Sequence, residues 1–90
     1  IQLEEKRWHA SRDRVVRALR AENVGAVVPD PPAYRSRAVR WWFRDPGRRY
    51  PNTERATGAL IGLPLWAGMT EGDAEDVIAA VVKVAAAYAT

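Results

Sequence analysis

A proline inside the apolar run LIGLPL, residues 60–65, limits this chain more than any other single residue. Pro64 has no N–H to give a neighbouring strand, so a strand here can sit only at a sheet edge or reach its end at the proline. Trp66, Ala67 and Gly68 then turn the chain, and Thr70 opens a helix. Thr70 and Asp73 have the spacing of a capping box, with Asp in place of the usual Glu. The alanines behind them favour helix, and Val77, Ile78, Val81, Val82 and Val84 give a wide apolar stripe. The pattern predicts a helix over 71–88.

The rest of the chain is cut into similarly short pieces. IQLEEK at the start has the pattern of a short edge strand. Ser11 suits an N-cap, Asp13 the first turn of a helix, and Val15, Val16, Ala18 and Leu19 repeat at helical spacing. A helix is expected over 12–22, ended by Asn23, which tolerates the left-handed conformation. VGAVV, 24–28, is a β-branched run that predicts a buried strand, stopped by the rigid loop Pro29-Asp30-Pro31-Pro32. The segment AYRSRAVRWWF suggests a short helix with Tyr34, Ala38 and Trp41 or Trp42 on one side, and Asp45-Pro46-Gly47 has turn chemistry. Asn52 is placed to cap a helix carrying Glu54 in its first turn. The order β, α, β, loop and short helix, α, β, α over 90 residues predicts one α+β domain: a small, mostly antiparallel sheet with helices packed on one face.

Little in the sequence carries chemistry on its own. There are no cysteines and one histidine, His9, which excludes disulfides and a Cys/His metal cluster. No catalytic, cofactor-binding or metal-binding residue is assigned. The glycines 58, 62, 68 and 72 lack the spacing of a phosphate loop. Glu71, Asp73, Glu75 and Asp76 crowd a helix N-terminus, where negative charge is favourable without any catalytic role. No apolar run is long enough to cross a bilayer, and no leader pattern opens the chain. A cytoplasmic, membrane-free protein is the expectation. Charge is uneven: residues 1–50 hold 12 Lys/Arg against 6 Asp/Glu, and residues 51–90 hold 2 against 5. The arginine–aromatic segment 34–50 therefore raises nucleic-acid binding, although arginine stems covering packed tryptophans explain it as well.

From residue 50 onward the pattern resembles the C-terminal end of the StrS/DegT-type sugar aminotransferases. The residues that carry the likeness are Pro51-Asn52-Thr53-Glu54-Arg55, Ile61-Gly62-Leu63-Pro64-Leu65, Trp66-Ala67-Gly68-Met69-Thr70, Asp73 and Val77-Ile78. RDRVVRALRAENVGAVV, residues 12–28, is similar to the helix-to-strand segment of that family. Three positions depart: Gly62 stands for the family's Ser, Ala67 for its Pro, and Val28-Pro29-Asp30-Pro31-Pro32 lacks the family's histidine.

The resemblance implies the C-terminal small domain of a fold-type I, pyridoxal-phosphate-dependent enzyme. Such an enzyme moves an amino group to a keto sugar, often nucleotide-linked, and works as a homodimer. Its Schiff-base lysine and phosphate-binding residues would lie in a large domain of the same chain, absent from residues 1–90, and Ile1 as first residue fits the tail of a longer chain. The segment around Pro64 and Trp66 would help wall the active-site cleft. Pro31, Pro32 and Tyr34 would line the cleft loop, with Asn52 and Arg55 fixing a helix start or reaching the substrate. Arg35 or Arg37 could meet a phosphate or carboxylate. The alternative is a small basic module that binds nucleic acid or an acidic protein on its own.

Overall fold

The computed structural model describes residues 1–37 and 50–89. Among the described residues three α-helices carry the fold: α1 over Arg12–Ala21, α2 over Pro51–Ala59 and α3 over Glu71–Tyr88. Short 3-10 turns fall at Glu5–Arg7 and Ala33–Arg35. The expected short helix through Trp41 and Trp42, and the turn at Asp45-Pro46-Gly47, lie largely or wholly outside the described residues.

The expected sheet does not form among the described residues. Among the described residues the extended segments meet only as isolated antiparallel bridges, Gln2 with Leu60, Trp8 with Ala89 and Val27 with Gly62. The α+β reading with a small antiparallel sheet is therefore corrected to a three-helix arrangement tied by single bridges. The reason is local. Val27 and Gly62 exchange both their hydrogen bonds at 2.9 Å, but the 24–28 run reaches Pro29 two residues later and the 60–65 run reaches Pro64. Proline offers no donor to extend a ladder. Within the run Val24 and Ala26 are buried, while Val27 and Val28 remain half exposed.

The first and third helices form as the sequence indicates. The Ser11 hydroxyl accepts from the Arg14 N–H at 3.3 Å, and Asn23 ends α1 with φ 66°. At α3 the capping box is reciprocal: the Asp73 N–H donates to the Thr70 hydroxyl and the Thr70 N–H to the Asp73 carboxylate, each at 3.1 Å. Replacing Thr70 with alanine removes one of these bonds and orphans an N–H of the first turn. The expected cost is about 1 kcal/mol of unfolding free energy, largely restored by Thr70→Ser. Urea denaturation of the three proteins tests this, and equal midpoints for wild type and T70A would contradict it.

The core lies where α1 packs on α3. Val15, Val16 and Leu19 from one side meet Ala80 and Val84 from the other, joined by Leu3, Val24, Ala26 and Ile61. The valine stripe of α3 divides. Val77, Val81 and Val84 face the core or its edge, whereas Ile78 and Val82 point outward with about three-fifths of their surface exposed.

Candidate functional site

Helix α2 brings the sequence-selected residues into one neighbourhood, though not as expected. It begins two residues early: Pro51 takes the first helical position, which suits a residue without an N–H, and Tyr50 is the N-cap. The expected capping by Asn52 is thereby corrected. Asn52 lies inside the first turn, and its side-chain oxygen accepts from Arg55 Nη1 at 3.4 Å on the exposed surface of the helix.

Glu54 stands in the same turn and does more. Its Oε1 accepts from the Tyr34 hydroxyl and its Oε2 from Arg35 Nη2. One carboxylate thus joins α2 to two successive residues of the Ala33–Arg35 turn. The Tyr34 ring also meets the Tyr50 ring, with centroids 4.6 Å apart and planes tilted by 34°. These contacts shift the ionisation of all three groups. The hydrogen bonds from Tyr34 and then Arg35 hold Glu54 below its ordinary value. Burial, then the adjoining carboxylate, holds the Tyr34 phenol above its own. The bond to Glu54 raises Arg35 further.

Beside this cluster a cleft of ≈ 220 Å³ opens between the proline loop and α2, with Pro31, Pro32, Asp30, Arg12, Arg35 and Glu54 among its lining residues. Pro32 is buried and Pro31 exposed. The structure therefore brings Pro31 and Pro32 to one cleft and connects Tyr34 to it through Glu54. Asn52 and Arg55 do not line it. Arg35 meets a carboxylate of its own chain, and Arg37 is exposed. A larger hollow of ≈ 600 Å³ lies between the end of α1 and α3. Its principal polar groups serve the fold: Asp73 caps α3, and Lys83 pairs with Glu22 at 2.8 Å.

Arg12 was not selected from the sequence. Its Nη1 donates to the carbonyls of Thr57 at 2.7 Å and Leu60 at 2.9 Å, closing the last turn of α2 from the first residue of α1. It thereby fixes the far end of the helix that carries Glu54. No short-range signal marks it, because both partners are remote in sequence.

Among the described residues no group of three or more His, Asp or Glu side chains is placed to hold a metal ion. No helix there is long and apolar enough to cross a membrane. Most of the arginine–tryptophan segment behind the nucleic-acid reading lies outside the described residues. Compared with known families, residues 1–82 match the model of the DegT/DnrJ/EryC1/StrS aminotransferase family.

Proposed function

The chain belongs to the DegT/DnrJ/EryC1/StrS aminotransferase family, and on that premise we propose that it is the C-terminal small-domain part of a pyridoxal-phosphate-dependent enzyme that transfers an amino group to a keto sugar, with a nucleotide-linked sugar as the substrate class. The carrying observation is the match over residues 1–82, nearly the whole chain. The proline cleft, at ≈ 220 Å³ smaller than a whole small-molecule site and lined by prolines and charged side chains together, supports the reading as one stretch of wall of a larger site. A large domain supplied by the same polypeptide and a homodimeric enzyme belong to this proposal.

The cofactor does not fit the residues present here. Lys6 and Lys83 are the lysines of the sequence; both are exposed, and Lys83 is engaged with Glu22. Neither stands in an enclosed site. The role assigned to this chain is therefore to shape and orient. Pro31 and Pro32 form a stiff wall, Arg35 and Glu54 line the cleft beside it, and Tyr34 is tied to it through Glu54.

The test is amino transfer by the natural gene product loaded with cofactor. Release of 2-oxoglutarate from glutamate should depend on an added nucleotide-linked keto sugar, and Tyr34→Phe should raise KM more than it lowers kcat. Turnover of keto acids alone, with no response to any keto sugar, would overturn the substrate class.

A further inference from the structure

We propose that Glu54 is the positioning residue of the cleft, a single carboxylate whose two oxygens set Tyr34 and Arg35 and, through them, the proline wall. The argument is one of acceptor count. The two donors come from adjacent residues and end on different oxygens of the same group. An ionised carboxylate only accepts, so it can serve both donors at once. A protonated carboxyl or a glutamine amide keeps nearly the same shape but turns one of the two positions into a donor, which then either faces the Arg35 donor or makes the Tyr34 hydroxyl accept, and the charge that strengthens both bonds is gone. The wall is linked to this pair within a few residues, because the Arg35 N–H donates to the Pro32 carbonyl at 2.9 Å and Pro32 is buried.

The surrounding charges leave this task to Glu54. Arg12 lines the cleft from α1, but its guanidinium is committed to Thr57, Leu60 and Asp13. Asp30 lines it from the loop. Tyr50 meets the Tyr34 ring from the start of α2, and Arg55, on the same helix as Glu54, is turned to Asn52. The position in the first turn of α2 also favours a negative charge. Because the folded-state ionisation of Glu54 is depressed, the clasp is complete above the ordinary carboxylate range and is lost as pH falls through the lowered value.

Only the consequence for catalysis rests on the cleft being the substrate wall; the positioning itself is measured without substrate. The experiment is amide hydrogen exchange on the full chain, read at the Arg35 N–H and, as a control, at core amides of α1 and α3. In Glu54→Gln the protection of the Arg35 amide should fall on the order of tenfold while the core amides are unchanged. In the wild type, acidification should produce the same loss at Arg35, and the variant's pH profile should be flat over that range. Unchanged protection at Arg35 in the variant, or a flat wild-type profile, would overturn the proposal. So would equal loss at the core amides, since Glu54 would then act on the whole fold. A failed transamination assay with intact exchange results would remove the substrate reading and leave the positioning role standing.

Discussion

Leu19→Ala should lower the unfolding free energy by about 3 kcal/mol, the largest effect expected of any single substitution proposed here. Leu19 is 1% exposed and sits on the face of α1 that meets α3. Truncation removes the transfer free energy of the lost carbons and leaves a void. Val15, Val16 and Ile61 are equally enclosed, and close packing limits how far such neighbours relax into the space. A domain of this length has roughly 5–13 kcal/mol in total, so the loss is a large share of it. Ile78→Ala is the matched control. Ile78 is 61% exposed on the opposite side of α3 and should change stability by no more than about 0.5 kcal/mol. Urea titrations should show the midpoint falling for L19A with an unchanged slope, and nearly superimposable curves for I78A and wild type. Equal midpoints for L19A and wild type would mean that the α1–α3 contact is not the core.

Arg12→Met should cost about 2 kcal/mol. Methionine keeps an unbranched apolar stem in a site where the arginine side chain is only 16% exposed, so packing is largely preserved. What disappears is the charged donor to two carbonyls at the end of α2. Hydrogen bonds to a charged group contribute about 1.5–3 kcal/mol when well enclosed, and these are only partly so. The Arg12–Asp13 contact adds little, since Asp13 is largely exposed. The effect should be local first. Amides near the end of α2 should lose exchange protection before those of α1 and α3, and Arg12→Lys should recover part of it. Uniform loss along the chain would contradict a role at the helix end.

The parts of the fold legible in the sequence are those fixed by neighbours. Ser11, Asn23, Thr70 and Asp73 act on backbone groups within a few residues, and α1 and α3 begin and end close to where these residues indicate. Strands depend on remote partners. The runs at 24–28 and 60–65 have the composition for pairing, yet each is stopped by proline after one bridge to the other. Asn52 misled because Pro51 can itself occupy the first helical position, moving the helix start back by two residues. At the candidate site, Pro31 and Pro32 were visible as part of a rigid loop, but their place on a cleft, with Tyr34, came only from the family resemblance, and Tyr34 itself does not line the cleft. Glu54 was visible only as a first-turn acid. Its part in joining Tyr34 to Arg35 needed the approach of two segments separated by 19 and 20 residues. Arg12 needed partners 45 and 48 residues away.

The three isolated bridges also bear on how the chain reaches its native state. Each pairs residues from distant parts of the sequence: Gln2 with Leu60, Val27 with Gly62 and Trp8 with Ala89. A helical protein usually has low contact order and folds quickly, because most of its contacts are local. Here α1 and α3 can form early from their own caps, but their packing surface is completed by Leu3, Val24, Ala26 and Ile61, which come from the bridging segments. Closing those long loops costs entropy before a single bridge returns any of it. The helices alone therefore make a poor guide to the folding rate, which belongs with mixed α/β domains of similar size rather than with simple bundles.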